Sequence, residues 1–206
     1  MTLVRWARRG FDIALALGVL TVTAPVTGLA IIAIRIESPG PAIFRQRRMG
    51  LHGSTFELLK LRGMYLDAPQ RHPELYDYGG VTRGGGESFY FHARDDPRVT
   101  RVGRVLRRYS IDELPNFWNV LRGEMSVVGP RPEIPELAGL YGDSLALLLS
   151  VRPGVTSPAK AWGRDALSFD ETLARELDYI QTRSIACDLR TIARTASTVI
   201  RGTDVY

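Results

Sequence analysis

From Ile13 to Ile34 the chain runs for 22 residues without a charge, built from Ala, Leu, Ile, Val, Gly and Thr around one proline, Pro25. That exceeds the ~18 apolar residues that mark a membrane segment. It also exceeds the apolar core of a cleaved signal peptide, about 7 to 15 residues. Because Glu37-Ser38-Pro39 offers no small-residue cleavage site, the segment is expected to be retained.

Its flanks constrain its path. Arg5, Arg8 and Arg9 precede it and Arg35, Arg45, Arg47 and Arg48 follow it, so the positive-inside rule assigns both sides to the cytoplasm. Pro25 leaves Ile13–Ala24 and Val26–Ile34, each too short at ~1.5 Å per residue for a ~30 Å hydrocarbon core. The residues alone leave two readings open: a helix that enters, breaks at Pro25 and returns, or a spanning helix with a tolerated kink. Asp12 at the mouth is costly in lipid, and pairing with Arg8 or Arg9 one turn earlier is expected to offset that cost.

Residues 1–64 hold 9 Lys/Arg against 3 Asp/Glu, whereas residues 65–206 hold 18 against 19, so the positive excess surrounds the apolar run. That placement fits anionic lipid, and with no recognition motif present it excludes a nucleic-acid partner. At 206 residues without a Ser/Gly or Pro-rich linker, one catalytic domain at 37–206 is expected behind a membrane segment at 1–36. The single Cys187 cannot form an internal disulfide and reads as a structural thiol.

The rest of the chain reads as mostly α with minor β. Short strands are expected near Ala42–Gln46 and Phe56–Leu61, and the glycine cluster at 79–86 reads as a surface loop. After Asp96 the pattern turns helical, with Val99, Val102 and Leu106 on one face and Arg98, Arg101, Arg104, Arg107 and Arg108 around it. Most of these arginines suit solvent or headgroups, while Arg107 or Arg108 suits phosphate. Leu173, Leu177 and Ile180, then Ile185, Leu189, Ile192, Ala196 and Val199, form apolar stripes. Either a membrane-surface helix or one packed on the core satisfies the second stripe. His52, His72 and His92 lack the spacing of helical metal ligands and read as surface residues.

Ser110 and Glu113 have capping-box spacing, Pro115 is tolerated early and Gly123 suits a stop, so a helix is expected from about Ile111 to Arg122. Asp112 and Glu113 then lie in its first turn. They could do no more than complement the helix dipole. Arginines beside a helix N-terminus also suit a diphosphate, and adjacent carboxylates there suit a nucleophile and a magnesium ligand.

Asp112-Glu113-Leu114-Pro115, Asn119-Val120-Leu121, Gly123-Glu124-Met125-Ser126 and Val128-Gly129-Pro130-Arg131-Pro132 together resemble the signature of the monotopic phosphoglycosyl transferases. The resemblance extends over nearly the whole chain. It takes in Arg8-Arg9 and Asp12, Pro39-Gly40-Pro41, Gln46-Arg47-Arg48-Met49-Gly50, Lys60-Leu61-Arg62, Asp96-Pro97-Arg98-Val99-Thr100 and Arg152-Pro153-Gly154-Val155-Thr156. It implies that Asp112 attacks the β-phosphate of a UDP-sugar, releases UMP and passes the phosphosugar to a polyprenyl phosphate. It further implies Mg2+ at Asp112 and Glu113, and substrate binding by Lys60, Arg62, Arg107, Arg131 and an acid that aligns with Glu176 or else Asp178.

The same resemblance implies a re-entrant membrane helix, amphipathic interfacial helices, a site on the cytoplasmic face of a bacterial inner membrane, and room for a homodimer. Three positions depart from the pattern. Ala24 precedes Pro25 where some relatives have Ser, Asn116 replaces the usual Gln, and Glu176 stands for the usual C-terminal Asp. A scaffold that has lost catalysis is the rival reading, and the intact dyad and arginines argue against it.

Overall fold

The computed structural model describes residues 2–76, 96–163 and 167–201, with side chains from Trp6 onward. The glycine cluster at 79–86 and His92 lie outside the described residues.

Helix α1 (Thr2–Glu37) stays helical through Pro25. This corrects the expected break: proline costs the ladder one bond, to the carbonyl four residues earlier, and intact turns on either side carry the helix across. Its two ends dock on the domain, while its middle stands away from it. Asp12 and Ala16 are buried near one end and Ala30 and Ile34 near the other, whereas Leu17, Val22 and Leu29 between them are exposed at 52%, 78% and 69%. Ala16 packs with Leu58, Val120 and Met125, and Ala30 and Ile34 pack with Leu61 and Leu106. The helix is long and apolar enough to cross a membrane.

Asp12 does not pair with the arginines expected for it. Its carboxylate accepts from Ser126 Oγ at 2.9 Å and from the Val127 backbone N–H at 2.9 Å. Arg9 donates to the Val120 and Leu121 carbonyls at 2.7 and 3.0 Å, and Arg8 pairs with Asp188 at 3.4 Å. A buried carboxylate takes the donors fixed beside it by the fold, and these lie on the domain rather than one helical turn back.

Strand β1 (Ile43–Met49) pairs antiparallel with β2 (Thr55–Leu61), so that Phe44 opposes Lys60, Gln46 opposes Leu58 and Arg48 opposes Phe56. Side chains alternate faces along a strand, so these six share one face of the hairpin. A short helix α2 (Ala68–Arg71) follows, then α3 (Arg101–Arg108), whose N-cap Thr100 accepts from the Gly103 N–H at 2.8 Å. A Cβ on Gly103 would lie 2.0 Å from the Gly63 carbonyl oxygen, so only glycine lets α3 settle against the end of β2.

Helix α4 (Asn116–Arg122) ends at Gly123 in the left-handed region. It docks on β2 through buried Asn119, which accepts from the Leu59 N–H at 3.1 Å and donates to the Glu57 carbonyl and the Glu124 carboxylate at 2.7 Å each. Strand β3 (Ser126–Val128) pairs in parallel with β4 (Gly154–Thr156), with α5 (Ser144–Leu148) between them in sequence. Helices α6 (Pro158–Trp162), α7 (Phe169–Thr182) and α8 (Ile185–Arg201) complete the domain. Helices joined to two small two-stranded sheets match the expected α with minor β.

The second C-terminal stripe divides. Thr191 is fully buried and Thr195 hydrogen-bonds Thr156 at 2.7 Å, with Cys187 and Ile192 packed on the core. Ile185, Leu189 and Ile200 on the same helix remain exposed at 51%, 50% and 80%. Helix α8 is thus held to the domain by a threonine-rich face that apolar periodicity did not reveal.

Candidate active site

Ser110 adopts a left-handed conformation, φ 50°, and turns the chain out of α3 into a single 3-10 turn, Ile111–Glu113. This replaces the first turn expected for one continuous helix, and the expected capping box does not form. The Ser110 side chain makes no capping bond, and Glu113 is turned elsewhere. Its Oε1 accepts from Lys60 Nζ at 3.1 Å, and its Oε2 is bonded by Lys160 Nζ. Two charge-assisted bonds outweigh the single neutral bond a cap would offer.

A cavity of about 460 Å³ has both dyad acids in its wall. The hairpin face contributes Phe44, Gln46, Arg48, Leu58 and Lys60, and Arg107, Arg131, Lys160 and Glu176 also line it. Among the described residues no hydrogen bond engages the Asp112 carboxylate. Burial pushes its pKa above the usual aspartate value, with Lys60, Arg107 and Lys160 opposing the shift and Glu113 adding to it. Burial would also raise Glu113, but Lys160 and Lys60 overcome it and hold that carboxyl well below its ordinary value. The two neighbours therefore differ: Glu113 is paired with two ammoniums, and Asp112 is partly buried in the cavity wall with no hydrogen bond to its oxygens among the described residues.

Among the other residues expected at the site, Arg107 lies in the last turn of α3 and lines the cavity, and Arg131 follows β3 and lines it near the dyad. Arg62 lines the cavity too, but its guanidinium donates to the Ser38 and Pro39 carbonyls at 2.7 and 2.6 Å. It ties the end of β2 to the exit of α1. Glu176 is buried against the Arg131 backbone and Ser157, with Oε2 unpartnered, and burial raises its pKa to about 7. Asp178, the alternative, is exposed on α7.

Arg98 is buried and bonded to Asp96 at 2.8 Å, while Arg101, Arg104 and Arg108 are exposed. His52 is exposed, and His72 is partly buried beside Glu74.

Lys160 is the residue that sequence reasoning missed. It follows Pro158 at the start of α6, where the Ser157 side chain caps its backbone N–H at 3.1 Å. The Ser-Pro pair signals a helix start, but nothing in it signals an ammonium aimed 47 residues back along the chain. Gln46 and Arg48 lie within Gln46-Arg47-Arg48-Met49-Gly50, where alternation puts both on one face of a strand, and the pairing of β1 with β2 sets that face beside Lys60.

The donor set suits a hard divalent cation. Mg2+ takes one or two carboxylates together with substrate phosphates and water, and Asp112 offers unclaimed oxygens next to Glu113. Among the described residues no three acidic, His or Cys side chains are grouped so as to hold a metal ion by themselves, so phosphate or water would complete the shell.

The family model described as bacterial sugar transferase matches residues 3–202. A Caulobacter vibrioides protein named UDP-glucose:undecaprenyl-phosphate glucose-1-phosphate transferase is 38% identical over 97% of this chain and 72% of its own length. The Salmonella typhimurium undecaprenyl-phosphate galactose phosphotransferase is 32% identical over 98% of this chain, which spans only 42% of that relative. The Sinorhizobium fredii exopolysaccharide production protein ExoY is 34% identical over 94% of this chain and 85% of its own length.

Proposed function

Because the chain belongs to the bacterial sugar transferase family, we propose that it moves a sugar-1-phosphate from a UDP-sugar to a polyprenyl phosphate. The observation that carries this reading is the contrast inside the dyad: Asp112 with open oxygens beside Glu113 held by two ammoniums, in one cavity with Arg107 and Arg131.

Asp112 acts as nucleophile. One of its carboxylate oxygens bonds to the β-phosphorus, the bond from that phosphorus to the bridging oxygen breaks, and UMP leaves with the electron pair. An oxygen of the polyprenyl phosphate then attacks the same phosphorus, and the Asp112 carboxylate is restored. Two in-line displacements let a soluble donor depart before a lipid acceptor enters one site. Lys60 and Lys160 orient the dyad through Glu113, and Arg107 and Arg131 meet the spread phosphoryl charge. Mg2+ held by Asp112 and Glu113 would supply further charge neutralisation at the transferring phosphoryl group.

The apolar middle of α1, whose exposed Leu17, Val22 and Leu29 suit lipid, enters the bilayer and returns. On this reading the cavity lies at the cytoplasmic surface of the inner membrane, beside the acceptor's phosphate, and the docking of both ends of α1 on the domain supports it.

The test is a panel of UDP-sugars with undecaprenyl phosphate, read by UMP release, alongside intact-protein mass after donor alone. One sugar should release UMP and add the mass of its phosphate ester to the wild type, and Asp112→Asn should do neither. Near wild-type turnover in a folded Asp112→Asn variant would overturn the covalent route.

A further inference from the structure

Both oxygens of Glu113 are occupied by cations of the chain itself. Lys60 Nζ lies 3.1 Å from Oε1, and Lys160 Nζ is bonded to Oε2. A divalent cation approaching Oε2 could use that oxygen's second lone pair, but it would meet the Lys160 ammonium as a like charge in contact with the same oxygen. Lys160 and a metal ion are therefore alternatives at this oxygen.

We propose that Lys160 is the resident counter-ion of Glu113 and that a divalent cation binds the dyad only by displacing it. The proposal rests on the reading of Asp112 and Glu113 as cation-binding residues of a phosphosugar transferase.

The surroundings suit an exchange. Lys160 Nζ also donates to the Val155 carbonyl at 3.2 Å, an anchor that does not involve Glu113. Ser157 caps the start of α6, so the exchange needs movement of the side chain and not of the helix. An ammonium has three donors, and two are used here. Lys160 lines the cavity, so once displaced from Glu113 it faces the space that the donor phosphates would fill. Entry of the metal then delivers a cation to the substrate while the site keeps its charge balance. Asp112, with no hydrogen bond among the described residues, supplies the second carboxylate.

The experiment uses the full chain in detergent, without donor, and Mn2+ as the probe, with free ion read by electron paramagnetic resonance. Lys160→Gln should bind Mn2+ at least about tenfold more tightly than wild type, because one positive charge has left the immediate shell of the ion. The gain should vanish when Glu113→Gln is added. Unchanged or weaker binding by folded Lys160→Gln, or a gain that survives loss of Glu113, would overturn the proposal.

A second measurement needs no variant: acetylation of Lys160 by acetic anhydride, followed by peptide mass spectrometry, should accelerate in wild type when Mg2+ is added. An unchanged rate at saturating Mg2+ would count against displacement. Neither readout involves turnover, so failure of the transferase reading shows in the UMP assay, while failure of the exchange shows here.

Discussion

The Asp12 carboxylate, at the entrance to the apolar helix, accepts a hydrogen bond from Ser126 Oγ on β3 at 2.9 Å, 114 residues away in the chain. With the Val127 N–H on the same carboxylate, this pair clasps the start of α1 to the domain beside the helix that carries the dyad's following turn. Hydrogen bonds to charged groups contribute about 1.5–3 kcal/mol each. Asp12→Ala should therefore cost on the order of 3 kcal/mol, read as a fall in thermal midpoint in detergent, and Ser126→Ala should cost less than half of that. Equal, small effects from both would mean that α1 is held by its apolar contacts alone.

Asp112 must be ionised to attack phosphorus, and burial raises its pKa above the ordinary aspartate value. The acidic limb of kcat/KM should accordingly lie above pH ~4, where an unperturbed aspartate titrates. Lys60 opposes the rise, so Lys60→Met should move that limb to higher pH. A limb that stays in place would show that Lys60 acts on Glu113 alone.

Burial, helped by Glu133, pushes the Glu176 carboxyl up to about 7 against the opposing effects of Ser157 and Arg131. Its folded pKa exceeds its unfolded one, so the folded state binds the extra proton between the two values. Stability should fall as pH rises from about 4.5 through 7, by on the order of 3 kcal/mol, and level off above. Glu176→Gln cannot ionise and should match wild type near pH 4.5 while melting at higher temperature at pH 8. Parallel melting curves at both pH values would place the ionised carboxylate among better partners than Ser157 and Arg131.

Topology tests the membrane reading of α1. Single cysteines at Thr2 and Ser54, in a Cys187→Ser background, should both resist an impermeant maleimide in intact cells and react once the inner membrane is opened. Labelling of Thr2→Cys alone in sealed spheroplasts would mean a spanning helix. Pro25→Leu supplies the one ladder bond that α1 lacks at this position and should shift the segment toward spanning, because an apolar helix with its full set of backbone bonds satisfies itself across ~30 Å.

Local pattern carried the sequence reading a long way. The charge-free run, the two strands that become β1 and β2, the end of α4 at Gly123, and α7 and α8 follow from local patterns and end signals, each of which acts within about a turn or a strand. The resemblance, and not the local pattern, singled out Asp112, Glu113, Arg107 and Arg131, and the fold brings all four to one cavity.

Partners of buried charge were not legible. Asp12 bonds to Ser126 and Val127 instead of Arg8 or Arg9, Glu113 faces Lys60 and Lys160 instead of capping its own turn, and Arg62 binds carbonyls at 38 and 39. A dehydrated charge is settled by whichever donors the packed segments bring within hydrogen-bond reach, and that depends on contacts between residues tens of positions apart. The left-handed turn at Ser110 follows from the same cause, since α3, seated on Gly63 through Gly103, and α4, pinned by Asn119, set the angle it must join. Sequence determined which residues could do chemistry and that part of the chain is apolar enough for a membrane; tertiary packing decided which acid is left open and which is already neutralised.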